Sequence, residues 1–97
     1  MRADATKRSK YVLTGKVAEQ FAPFLADFGY DPRDTRFLGS PVDLIVFDGL
    51  SEGEVQGVAF IEVKTGKSRL SQRERQLQHV IDEGEVYYEV LRIGGSA

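Results

Sequence analysis

"GVAFIEVKTGK", residues 57–67, opens as a strand and closes as an acid and a base. Period-two alternation puts Val58 and Phe60 on one face of that strand and Ala59, Ile61 and Val63 on the other. Both faces are apolar, which predicts a central strand over 57–64, covered on each side. Glu62 and Lys64 then emerge on the face of Phe60. A lone carboxylate or ammonium inside an apolar sheet costs on the order of several kcal/mol. The two must reach the rim of the sheet, pair with each other, or hold something ionic between them.

A second carboxylate is in the same predicament. In "SPVDLIVFDG" (40–49), Asp43 opens an apolar strand, 42–49, directly after the turn residues Gly39-Ser40-Pro41. Asp48-Gly49, with further turn residues through Gly53, reads as a hairpin connection to the 57–64 strand. An antiparallel pair places the start of one strand beside the end of the other, so Asp43 falls next to Glu62 and Lys64. Two crowded carboxylates repel and raise each other's proton affinity unless a cation intervenes. Mg²⁺ or Mn²⁺ takes oxygen ligands and binds through one or two carboxylates plus substrate phosphate. Lys64 beside it has two uses: to orient or help deprotonate the attacking water, or to stabilise charge on a phosphate. That combination hydrolyses phosphodiesters. Glu-x-Lys by itself is also a common surface ion pair, and a structural rim pair is the competing reading.

Around this pair the chain reads as helix, strand, strand, strand, helix, strand. Val17, Phe21, Phe24, Leu25 and Phe28 form the one-sided stripe of an amphipathic helix, with Pro23 kinking it or splitting it in two. "GYDPRD" (29–34) is a turn and "TRFLG" (35–39) a short strand. "LSQRERQLQHVIDEG" (70–84) predicts a helix with Ser71 as N-cap, Glu74 completing a capping box, Leu70, Leu77, Val80 and Ile81 facing inward, and Gly84 ending it. "EVYYEVLRI" (85–93) alternates as a last strand, with one of Tyr87 and Tyr88 in the core. A mixed sheet with helices packed on it follows.

The 97 residues fit one small domain, 11–93, between a mobile basic tail, 1–10, and a frayed end, 94–97. Without cysteine there is no disulfide framework, thiolate nucleophile or Cys-type zinc site. No apolar run approaches the ~18–20 residues of a membrane span, and the N-terminus lacks a signal-peptide core, so a cytoplasmic protein with no membrane partner is expected. A net charge of −2 gives no support for a nucleic-acid partner, and the charges are unevenly distributed. Arg2, Lys7, Arg8, Lys10 and Lys16 face Asp4 alone, and Lys64, Lys67, Arg69, Arg73 and Arg75 face Glu74 alone. These segments form a phosphate-facing side if the fold joins them, and otherwise a solvated tail and helix face.

"SPVDLIVFDG" followed by "VAFIEVKTGKSRLS" resembles the core of the PD-(D/E)XK nuclease superfamily, and more narrowly endonuclease domains related to archaeal Holliday junction resolvases. The resemblance runs from about Gly15 to Ile93. It implies a restriction-endonuclease-like αβββαβ core, an α/β fold whose central mixed sheet is flanked by helices. It further implies Asp43 and Glu62 as metal ligands, the Val63 carbonyl as another, and Lys64 as the catalytic lysine. Related resolvases carry a glutamate on the first helix in a Gly-x-x-x-Glu setting that Gly15 and Glu19 match, although periodicity sets Glu19 opposite the apolar stripe, where a solvent-facing role competes. Many members have a glutamine on the helix after the lysine strand. This chain has Glu74 there, with Gln72, Gln76 and Gln78 nearby.

Other signals carry less. "TGKS" (65–68) lacks the glycine that a phosphate loop needs at position 61, which is Ile61, so no nucleotide cofactor is expected. His79 is an exposed helix residue with no assigned role, and no nucleophilic triad has its residues. The expectation is a Mg²⁺- or Mn²⁺-dependent DNA endonuclease acting on duplex or branched DNA. Lys67, Arg69, Arg73, Arg75 and more weakly Arg36 are the phosphate contacts. A homodimer is expected because symmetric cutting needs two sites. The alternative is a DNA-binding or interaction module that keeps the fold without cleaving.

Overall fold

The computed structural model describes residues 15–94, and its centre is β2, Leu44–Asp48. The expected tail 1–10 and residues 95–97 of the expected frayed end lie outside the described residues. β2 pairs antiparallel on one side with β1, Thr35–Phe37, through Thr35↔Val46 to Phe37↔Leu44. On the other side it pairs antiparallel with β3, Gly57–Ile61, through Leu44↔Ile61 to Asp48↔Gly57. The order β1-β2-β3 makes β2 the inner strand, and Leu44 and Val46 on one of its faces are fully buried.

Two expectations fail here for one reason. β3 is an edge strand among the described residues, with Val58 51% exposed, where a covered central strand was expected. Among the described residues the sheet is wholly antiparallel, where a mixed one was expected, because residues 85–93 form no strand. A parallel fourth strand would have supplied both the cover and the mixture. Tyr87 and Tyr88 are both exposed, at 71% and 94%, so neither joins the core.

The first helix, α1, runs Gly15–Phe21 and passes into a 3₁₀ turn at Ala22–Phe24, as Pro23 requires. Its buried face is Ala18, Glu19, Ala22 and Pro23, while Phe21, Phe24 and Leu25 stay more than half exposed. The apolar stripe was expected to face inward. Instead Ala18 and Ala22, four residues apart, are the buried apolar residues of this segment, and the 3₁₀ turn breaks the stripe's phase. The second helix, α2, spans Gln72–Asp82 with Ser71 as N-cap and a complete capping box. Leu70, Leu77 and Ile81 line a cleft of about 360 Å³ against Val58 and Phe60, whereas Val80 is largely exposed. No helix among the described residues is long and apolar enough to cross a membrane.

The β2–β3 connection depends on two residues that lie far from the cleft. Gly49, at φ +94°, takes a left-handed turn in which a Cβ would overlap the Glu54 carbonyl oxygen. Asp34, 2% exposed, accepts from the Gly49 and Ser51 amides at 3.0 and 2.7 Å and ties the hairpin to β1. Burial raises the proton affinity of Asp34, but these amide bonds outweigh it and leave the carboxyl below its ordinary range. Gly49→Ala is expected to destabilise the chain by more than about 1 kcal/mol. The check is a lower urea midpoint at unchanged m-value.

Candidate active site

The last β2–β3 pair is Leu44↔Ile61, and just beyond it the Asp43 and Glu62 carboxyls lie close enough to interact directly. Glu62 lines the same cleft as Phe60 and Val58. Two backbone amides fix the start of β2: Leu38 and Gly39 donate to the Asp43 carbonyl at 2.8 and 3.1 Å. The Asp43 side chain is half-buried, and its Oδ2 accepts from the Val63 amide at 2.8 Å. That bond holds the Glu62-Val63-Lys64 segment against the strand after the ladder has ended.

Glu62 carries the electrostatic signature of the site. Its carboxyl is pushed up to about 7, first by burial and then by the close Asp43 carboxyl and the field of Glu74, against the opposing pull of Lys64. Near neutrality the pair therefore holds a proton that an intervening cation would displace.

Lys64 lies just beyond, its Nζ 2.9 Å from Glu74 Oε1. The same oxygen accepts from the Ser71 amide at 2.8 Å, so the cap of α2 also fixes the lysine's partner. Hydrogen bonding to Glu74 raises the Lys64 ammonium above its ordinary range, and the Ser71 amide and then Lys64 lower Glu74. Lys64 is thus held as a cation. The sequence placed Glu74 at the helix cap and at the family's glutamine position; its ion pair with Lys64 was not anticipated, although capping-box geometry turns an N3 side chain back toward the strand-to-helix turn.

Glu19 is 8% exposed and lines a cleft with Phe37, Leu38 and Gly39, the turn whose amides hold the Asp43 carbonyl. The solvent-facing alternative is corrected: α1 turns its small-residue face inward and Glu19 goes with it. It borders the site without joining the two carboxylates, since among the described residues no three potential ligands of the His, Asp or Glu type converge. Lys67 and Arg69, on the turn after Lys64, and Arg73, in the first turn of α2, are exposed and unpaired with any acid among the described residues. Arg75 is exposed, with Nη1 bonded to the Leu70 carbonyl at 2.8 Å. Arg36 sits on β1, across β2 from the Glu62 strand, and its Nη1 bonds the Arg33 and Thr35 carbonyls at 3.0 and 3.1 Å. Arg36 pairs with Ile45, which pairs with Phe60, so it stands on the same sheet face two strands away. His79 is exposed, as expected.

No curated protein and no solved structure matches the chain. A family described as endonuclease related to archaeal Holliday junction resolvase matches residues 2–93, nearly its whole length, and the PD-(D/E)XK superfamily is consistent with that match. The chain belongs to the family of endonucleases related to the archaeal Holliday junction resolvase.

Proposed function

We propose that the chain is a Mg²⁺- or Mn²⁺-dependent endonuclease that hydrolyses phosphodiester bonds in DNA, with branched DNA as its preferred substrate. The observation that carries the reading is the closeness of the Asp43 and Glu62 carboxyls just beyond the last β2–β3 pair, with the Val63 amide bonded to Asp43 and Lys64 two residues on. The donor set fits a hard divalent ion, because two crowded carboxylates, one with a raised proton affinity, are relieved by such a cation. Asp43, Glu62 and the Val63 carbonyl would hold it, and it would supply a lowered pKa for water and neutralisation of phosphate charge.

The remaining roles belong to this chain's own side chains. Glu74 keeps Lys64 protonated, so Lys64 acts as an ammonium that stabilises the phosphate's developing charge, and the deprotonating role is the weaker one. Lys67, Arg69, Arg73 and Arg75 contact backbone phosphates and position the duplex without reading bases. In the hydrolysis a water oxygen–phosphorus bond forms and the phosphorus–leaving oxygen bond breaks. The water's proton passes to solvent, and the leaving oxygen takes one in return.

A panel of linear, nicked, flap and four-way DNA, incubated with Mg²⁺, Mn²⁺ or EDTA, tests the reading. Cleavage of four-way DNA that needs either ion, and a drop of roughly 10²–10³-fold in Lys64→Ala with binding retained, is expected. No cleavage of any substrate by the intact chain would favour a second reading, a DNA-binding module that has lost catalysis. The Glu74–Lys64 pair motivates that alternative, because a carboxylate where relatives carry glutamine neutralises the ammonium.

A further inference from the structure

We propose that the groove between α1 and the segment after β3 receives an unpaired nucleobase of the DNA strand whose phosphate lies at Lys64. Phe21, Phe24 and Leu25 line one wall of this groove and residues 63–66 the other, around a volume of about 880 Å³. The three apolar side chains are 57%, 72% and 57% exposed, while the chain's own packing takes Ala18, Ala22 and Pro23 from the same segment. Neither phenylalanine ring stacks on another ring among the described residues, where Phe28 and Tyr30 form the aromatic pair. Their faces are open to a planar partner.

The charge around the groove selects that partner. The cleft under α2 is lined by Glu62, Glu74 and Asp82, and the one beside Phe37 by Glu19. The α1 groove, among the described residues, has Lys64 and no carboxylate on its walls. Lys67 and Arg69, exposed on the turn that leaves it, extend the positive side. An aromatic wall flanked by cations suits a ligand that is flat in one part and anionic in the next. A single nucleic-acid strand has that repeat, with bases stacking on aromatic rings and the backbone tracking basic side chains.

Continuity with the carboxylate site fixes which base is received. Val63 lines the groove, its amide donates to Asp43 Oδ2 at 2.8 Å, and Glu62 directly precedes it. A phosphate held at Asp43, Glu62 and Lys64 therefore carries its neighbouring nucleotide to the mouth of the groove. A paired base is already stacked and is costly to extrude, whereas an unpaired one enters at the least cost. The groove thus deepens the nuclease reading, on which it rests, by naming the substrate feature. That feature is an unpaired nucleotide beside the scissile phosphate, as at a flap, a gap or an open branch point.

Fluorescence anisotropy with the intact chain in EDTA tests this without cleavage. Two flap DNAs are compared, identical except that one lacks the base of the unpaired nucleotide next to the branch. The wild-type chain is expected to bind the complete flap roughly tenfold more tightly than the abasic one. Phe21→Leu/Phe24→Leu keeps apolar bulk without the rings, and it is expected to erase that preference while retaining the abasic affinity. Phe21→Tyr/Phe24→Tyr should restore the preference. Equal affinity of the wild-type chain for the two flaps, or binding of neither, would overturn the proposal, and this comparison needs no variant to fold. An equal loss on both flaps in the leucine variant would overturn it too. So would a melting temperature lowered by more than about 5 °C there, since the groove would then be filled by protein. Cleavage of the same flaps in Mg²⁺ separates the two readings. Base preference without cleavage removes the nuclease and leaves the groove, and cleavage without base preference removes the groove alone.

Discussion

Asp43→Asn is expected to lower cleavage by at least roughly 10³-fold while leaving the melting temperature nearly unchanged. The two halves of that result separate the residue's two jobs. Structurally, Asp43 offers one oxygen to the Val63 amide at 2.8 Å. An asparagine carbonyl makes the same bond, so the segment carrying Glu62 and Lys64 stays in place. Electrostatically, Asp43 contributes the charge that crowds Glu62, and asparagine removes it. A metal ion contributes several kcal/mol of transition-state stabilisation, and each ~1.4 kcal/mol is tenfold in rate, which sets the size of the loss. Asp43→Ala provides the contrast: it is expected to lose activity and stability together, because the Val63 amide loses its acceptor. Activity within about tenfold of wild type in Asp43→Asn would remove Asp43 from the site.

The elements that the sequence made legible are those fixed by neighbours in the chain. Ser71 and Glu74 cap α2 as their three-residue spacing demands, and Pro23 ends the α-helical geometry after Phe21. The Asp43–Glu62 juxtaposition was also legible, because an antiparallel hairpin brings the start of β2 beside the end of β3. What periodicity leaves open is which partner a face meets. The stripe Phe21-Phe24-Leu25 is helical in spacing, yet the fold seats Ala18 and Ala22 inward and leaves the stripe exposed. The same limit applies to Glu19, which is buried on that face. Residues 85–93 have a strand's alternation, but alternation states readiness to pair and does not supply the partner edge.

Metal affinity is expected to fall about tenfold for each pH unit below 7, and the metal-free chain to respond to pH in the opposite sense. Glu62 governs both effects. Its carboxyl titrates at about 7 in the folded chain against an ordinary 4.5. Between these values the folded state holds a proton that the unfolded state has released, so stability declines as pH rises. Glu62's favourable contribution is complete below 4.5 and lost as pH passes through about 7. Lys64 and solvent reach the group, which makes the slope shallower and sensitive to salt. A divalent ion requires the charged form and must displace the proton, so its stabilisation grows in the direction in which the metal-free chain weakens. Melting curves at pH 5.5, 6.5, 7.5 and 8.5, with EDTA or with saturating Mg²⁺, should therefore diverge as pH rises. Calorimetric titration with Mn²⁺ in two buffers of different ionisation enthalpy should show proton release that is largest below pH 7. Glu62→Gln carries no titrating group and should flatten the metal-free slope and abolish the release. A wild-type Mn²⁺ affinity that stays constant from pH 6 to 8 would mean that the ion does not compete with this proton, and the carboxylate pair would then be a rim feature without a metal.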